Sequence, residues 1–412
     1  MRFDTIIIGG GLSGLMGGIT LSRQGERVAI ISSGKSALQF SSGSLELWSD
    51  GAEAIASIAD KSPNHPYNKV EKERIADNTA VVKDIFSRAG VPLVGSAERN
   101  HLRLTPLGAL KPAWLTMEEY VTFQSQEEIR GCKIAIVNIA GYLDFYPDFI
   151  ASTLTRLGAE CSLGEVEVAE LAALRKSATE LRAINISRTL TGDCLGRFAE
   201  QVREIAQGAD MVLLPAVFGI DDMALLDTLV EKIGCPVKVA PTVSVSVGGV
   251  RTQRLLTEEF VRLGGVFIGG DTVVVANMEE GRVHSVCTAN HGDQEFEAEN
   301  FVIATGSFFS RGLIATAQKI YEPVAGLDVE FAPQRDDWYA PHILEAQPFQ
   351  RFGVATDGSL HPSIEGRAVE NMWAVGSLLA GSDAVHEGSG AGVAVMTALA
   401  AAEQIIAKKN KE

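Results

Sequence analysis

Residues 3–31 read FDTIIIGGGLSGLMGGITLSRQGERVAII. The opening run, residues 3–8, is short and apolar, the pattern of a strand buried on both faces. Gly9-Gly10-Gly11-Leu12-Ser13-Gly14 fits G-x-G-x-x-G. Leu12, Leu15, Met16 and Ile19 then recur at helical spacing, and Gly25 stops the helix. A second apolar run follows at residues 27–31. Strand, turn, helix and strand within about thirty residues make one βαβ unit. In that setting each motif glycine has a task. Gly9 allows the tight turn, Gly11 lets a phosphate approach the backbone, and Gly14 lets the helix pack on the strand. The helix start turns free N–H groups and its positive dipole end toward the same point. The stretch predicts an α/β dinucleotide-binding fold.

Working outward, the next position breaks the pattern. After the second strand a carboxylate ordinarily holds a ribose diol. Here Ser32 stands there, followed by Ser33-Gly34-Lys35. A hydroxyl accepts one hydrogen bond but not in bidentate fashion. Tight binding of an adenosine half is thereby disfavoured, and NAD with it. Lys35 is the one basic residue near enough to serve a 2′-phosphate.

Bulk composition narrows the class. The chain has 412 residues, enough for two domains or one elaborated α/β domain. A net charge of −16 argues against nucleic-acid binding and against direct docking on an anionic leaflet. No sequence stretch approaches the 18 or so apolar residues of a membrane span. The best, 391–402, reads as a buried helix. The chain start lacks a basic segment ahead of a long apolar core, so a cytoplasmic location is the expectation. The five cysteines are far apart, with no Cys-x-x-Cys, so neither an iron–sulfur cluster nor a zinc site is expected in this chain alone.

Further along, residues 32–130 are less regular, with one helix expected at 72–89. Strands are expected at 134–137, 211–214 and 237–240, and a helix at 222–233 with Leu226, Leu229, Val230 and Ile233 on one face. A helix at 255–263 leads to strands at 266–268, 272–276 and, through the Glu280-Gly281-Arg282 turn, 283–288. A buried strand at 301–304 follows, then a strand at 372–375 and a last helix at 392–407. Residues 408–412 read as a frayed tail.

Four more motifs bear on chemistry. Ala304-Thr305-Gly306 follows a buried strand, and flavoproteins of the two-dinucleotide-binding type resemble it where the chain turns back past the cofactor. Asn371-Met372-Trp373-Ala374-Val375-Gly376-Ser377 is similar to their N-L-[FY]-A-x-G-D, with Ser377 replacing the aspartate that holds the ribityl chain. Glu387-Gly388-Ser389-Gly390-Ala391-Gly392-Val393 opens the last helix, whose free N–H groups suit the N1–O2 edge of a reduced flavin. In the fold of such flavoproteins, Phe40-Ser41-Ser42-Gly43-Ser44-Leu45 would pass near the ring; by composition alone it is a solvated Ser/Gly loop. Arg103, Lys111, Arg182, Arg188, Arg251 and Arg254 are candidates for a phosphorylated substrate.

With these blocks, Leu104-Thr105-Pro106-Leu107-Gly108, Thr305-Gly306-Ser307-Phe308-Phe309-Ser310 and Gly326-Leu327-Asp328-Val329, the sequence resembles the B-subunit family of anaerobic glycerol-3-phosphate dehydrogenase over nearly its full length. The resemblance implies an FAD/NAD(P)-binding Rossmann-like fold with an inserted α/β or α+β second domain. Residues 1–45, 245–310 and 345–412 would form a discontinuous flavin domain, 46–244 the insertion, and 311–344 a connecting segment. It implies FMN as cofactor, consistent with the two serines; the intact glycine cradle keeps FAD as the alternative. The expected cofactor residues are Gly9, Gly11, Leu12, Ser13, Gly14, Ser32, Ser42, Gly43, Ser44, Thr305, Gly306, Gly376, Ser377, Gly388, Gly390, Ala391 and Gly392. It also implies a complex oxidising glycerol 3-phosphate to dihydroxyacetone phosphate for the quinone pool. The partners would be a catalytic, FAD-bearing A-subunit and an iron–sulfur, membrane-anchoring C-subunit, on the cytoplasmic face of the inner membrane. This chain would relay electrons. Alternatives are that it dehydrogenates the substrate itself, with His386, Glu387 or Arg251 to test, or that it is a flavin-free docking platform.

Overall fold

The computed structural model describes residues 1–55, 58, 62–177 and 179–410. Its main sheet is assembled from distant parts of the chain. The labelled elements are β1 (Arg2–Ile8), α1 (Leu12–Arg23), β2 (Val28–Ser32), β3 (Ser44–Leu45), β4 (Leu115–Met117), α2 (Val247–Arg262), β5 (Val266–Gly269), β6 (Glu295–Ile303), β7 (Met372–Ala374) and α3 (Gly390–Lys409). Strand β1 lies between β2 and β6, parallel to both, with Ile8 opposite Ile31 and Ile303. Strand β5 extends the sheet beyond β2, and β7 pairs with the end of β6. An antiparallel hairpin, Val273–Glu279 with Arg282–Thr288, borders the first half of β6.

Helices α2 and α3 both pack beside α1 over this sheet, and the strand ends nearest the glycine turn are apolar because they are buried. Ile6, Ile7 and Ile30 are completely buried, each contributing roughly 1.5–3 kcal/mol. Helix α1 sits close because of Gly18, where a Cβ would lie 2.7 Å from Ile30 Cδ1. Helix α3 packs beside α1, with Gly17 facing the Ala398 carbonyl. It runs to Lys409, longer than expected. By length and composition it could cross a membrane, yet Val393, Met396, Leu399 and Ala402 are buried in the core. The tail expected to fray is partly pinned: Lys409 Nζ reaches Glu26 at 2.7 Å and Asp4 at 3.7 Å. Lys411 and Glu412 lie outside the described residues.

A second, wholly parallel sheet orders Glu160–Val166, Lys133–Ile139, Met211–Pro215 and Val237–Ala240. Two small antiparallel sheets follow, the first joining β3, β4 and Leu93–Gly95, the second joining His101–Leu104, Leu110–Ala113 and Thr122–Phe123. These give structure to much of the region that lacked a sequence pattern.

Two expectations need correction. Helix α2 begins at Val247, eight residues before 255, because Ser246 Oγ caps the Gly249 N–H at 3.0 Å. Its paired glycines answer packing: a Cβ on Gly248 would meet the Tyr120 hydroxyl at 2.6 Å, and one on Gly249 would collide with the Leu38 carbonyl oxygen. In Ala224–Ile233, Leu226, Leu229 and Ile233 are buried, but Val230 is exposed.

Candidate functional site

The carboxyl ends of β1, β2 and β6 are stitched together by short bonds. The Gly9 N–H donates to Ile31 O and the Ala304 N–H to Ile8 O, both at 2.8 Å. Over these ends opens a cavity of about 750 Å³. That is within the roughly 300–1,000 Å³ typical of small-molecule sites.

The motif glycines divide by what demands them. Gly9 has φ +119°, and a Cβ there would collide with the Ala304 carbonyl oxygen. A Cβ on Gly14 would collide with Gly9 O, and one on Gly10 would lie 2.7 Å from Ser32 Oγ. Gly11 differs: its backbone is ordinary extended chain, and the nearest atom to a Cβ is Ser36 Cβ at 3.7 Å. The protein itself leaves room for a side chain at Gly11; a ligand lying on the backbone does not. Helix α1 starts there with no side-chain cap, so its first N–H groups face the cavity. Helix α3 also starts uncapped, with Gly390 and Ala391 in the wall. Thr305 Oγ1 is buried in the wall with no hydrogen-bond partner among the described residues. Two helix starts, an open glycine and an orphaned hydroxyl suit a bound phosphorylated cofactor.

Of the expected residues, Gly9, Gly11, Leu12, Ser13, Ser32, Ser44, Thr305, Gly306, Ser377, Gly390 and Ala391 line the cavity. Gly14, Ser42, Gly43, Gly376, Gly388 and Gly392 are not among its lining residues. Most of these serve packing: a Cβ on Gly43 would meet the Tyr120 ring at 2.5 Å, and Gly376 and Gly392 abut the hydroxyls of Ser13 and Tyr67. The Gly392 N–H is already taken by Glu46 O at 2.8 Å.

The wall has two characters. One arm runs along Ser32–Lys35 and Asp271–Val274. Asp271 was not singled out from sequence. Its Oδ1 accepts from the Thr272 and Asn290 N–H groups, and Oδ2 lies 2.6 Å from His291 Nδ1. Burial pushes its carboxyl up, but bonds from Thr288, His291 and the two N–H groups outweigh this and hold it below the usual range. Ser32 Oγ donates to Gly34 O at 3.0 Å. The other arm runs along Ser41, Ser44, Leu45, Thr305, Gly306, Gly390 and Ala391. Phe309, 68% exposed, stands at its rim edge-on to Phe40.

The basic candidates lie elsewhere. Arg251 is buried, paired with Glu119, and donates to Gly219 O at 3.1 Å. Arg103 pairs with Glu46, Arg182 with Asp144, and Arg254 donates to Ile220 O. Neither Lys111 nor Arg188 lines the cavity; Lys35 and Arg311 do. His386 is exposed and 3.1 Å from Asp383. Glu387 is taken up by His65 at 3.2 Å and Arg351 at 2.8 Å. Neither lines the cavity.

The FAD binding domain family matches residues 4–393. The B-subunit of anaerobic glycerol-3-phosphate dehydrogenase from Yersinia pestis is 39% identical over 419 residues, 99% of each chain. The chain belongs to this family. The Pectobacterium atrosepticum member is 37% identical over all of both chains. Among solved structures, the 3-ketosteroid-Δ4-(5α)-dehydrogenase of Rhodococcus jostii RHA1 is similar at a TM-score of 0.43 and 10% identity, over 98% of this chain and 96% of that one. Family members are flavin-domain oxidoreductase subunits, and this chain is one.

Proposed function

We propose that this chain is the flavin-bearing relay of a glycerol-3-phosphate dehydrogenase, taking electrons from a catalytic partner and passing them to iron–sulfur centres in another. The observation that carries the reading is the chemistry of the wall. Among the described residues its acidic and basic side chains are Lys35, Asp271 and Arg311. Dehydrogenating an alcohol needs a base within hydrogen-bond reach of the hydroxyl, and Asp271 is committed to its own turn. Such a wall suits binding and orienting a flavin more than taking a proton from a substrate.

A bound flavin supplies exchange of both electron pairs and single electrons. Gly11, Leu12 and Ser13 would hold its phosphate at the start of α1. Thr305, Ser44, Gly390 and Ala391 would hold the ring. FMN is the better fit, because Ser32 and Asp271 use their polar atoms internally and leave little to grip an adenosine ribose. FAD is the second reading, favoured by the continuation of the cavity to Asp271–Val274. In this reading residues 1–45, 245–310 and 345–412 carry the cofactor, while 46–244 and 311–344 frame it. The complex works on the cytoplasmic face of the inner membrane, anchored through a partner, with quinone as the final acceptor.

The test is to purify the chain alone and with its partner subunits, release the flavin and weigh it. About one FMN per chain, with no glycerol 3-phosphate turnover by the chain alone, is expected. Rapid flavin reduction by glycerol 3-phosphate in the isolated chain overturns the relay. Absence of flavin from both preparations overturns the cofactor.

A further inference from the structure

Behind the ring arm, three buried polar side chains form a line. Ser44 and Thr116 are direct partners in the β3–β4 ladder, so their side chains share a face. Their hydroxyls are 2.9 Å apart. Thr116 Oγ1 is also 2.6 Å from Nε2 of His101. Thr116 is fully buried, His101 is 1% exposed and Ser44 6%. Ser44 lines the cavity; the other two lie deeper. His101 Nδ1 is buried and has no hydrogen-bond partner among the described residues. It faces Gly95, where a Cβ would stand 3.2 Å from it.

This geometry sets the direction of the line. Burial first, and then the Arg103 guanidinium, push His101 down to about 4, so the ring is neutral near pH 7. A neutral imidazole carries one N–H. A buried N–H without an acceptor is costlier than a bare lone pair. The proton therefore sits on Nε2, which donates to Thr116. Thr116 then donates to Ser44, and the Ser44 proton is left for the cavity.

We infer that His101 and Thr116 are positioning residues that fix Ser44 as a hydrogen-bond donor to the flavin ring, making the bound cofactor easier to reduce. The inference rests on the flavin reading above. Reduction places negative charge on the ring, and a donor already aimed at it strengthens its hold as that charge grows. A freely turning serine would not be committed to donate.

The experiment is a potentiometric titration of flavin bound to the full chain, alone or co-purified with its partners. Ser44→Ala weakens the hold on reduced relative to oxidised flavin about tenfold, a fall of about 30 mV in the two-electron midpoint. Thr116→Val and His101→Phe shift it the same way, and Thr116→Val adds nothing in a Ser44→Ala background. His101→Gln keeps an amide N–H to donate and retains the wild-type midpoint. It also shows whether losses in His101→Phe come from misfolding. A wild-type midpoint in flavin-loaded Ser44→Ala overturns the inference and leaves the flavin reading standing. So does a full Thr116→Val shift in the Ser44→Ala background. A wild-type chain that takes up no flavin, alone or in complex, overturns the reading and the inference with it.

Discussion

The two arms of the cavity share one set of strand ends, yet they treat their polar atoms in opposite ways. On the Asp271 side the carboxylate closes its own turn, and Ser32 bonds back to Gly34. On the Ser44 side, Thr305 Oγ1 has no partner among the described residues, and the start of α3 is uncapped. A polar group satisfied internally stiffens the wall but adds little to a ligand's affinity. One left unsatisfied costs the empty protein stability and is recovered on binding. The difference teaches that polar residues at a site should be counted by what they have left to offer.

Substitutions can sharpen or break this contrast. The largest effect is expected at the junction both arms share. Gly9→Ala forces a Cβ against Ala304 O at φ +119° and should cost about 3 kcal/mol or more of stability, read by denaturant unfolding. Asp271→Asn should come next. It should cost about 1–3 kcal/mol of stability, with flavin affinity changing little. Because the folded carboxyl lies below its usual range, its stabilisation is complete above pH ~4 and is lost as pH falls through the folded value. Wild type should therefore lose stability more steeply on acidification than Asp271→Asn. Thr305→Val should do the reverse, leaving stability unchanged or slightly raised and weakening flavin binding roughly five- to tenfold, seen by fluorescence titration. Ser32→Ala should be smallest, within about 0.5 kcal/mol on either measure. A large loss of affinity in Ser32→Ala or Asp271→Asn would erase the distinction between the arms and favour FAD.

Legibility followed sequence distance. The first βαβ unit was readable because its strands, turn and helix are contiguous and each obeys one period. Thr305 and Gly306 were readable because a long buried strand delivers them. Asp271 was not, since after Gly269-Gly270 it looks like any turn residue. The first turns of α2 carry Gly248-Gly249, poor helix formers by propensity, whose bareness admits Leu38 and Tyr120. His101, Thr116 and Ser44 were beyond reach of periodicity: strands of two to four residues hold them together, too short for alternation to register.

The partnership of β1 with β6 sets a timetable for synthesis. One neighbour of β1 is made almost at once, but the other begins at Glu295 and the wall closes only with α3 at Gly390. At ~5–20 residues per second on the ribosome, the first strand waits roughly 15–60 s for β6. The glycine turn is made well before β6 and α3, so it waits for them before the wall is whole. Loading therefore follows the synthesis of α3, and a truncation that removes this helix should leave a chain that never loads.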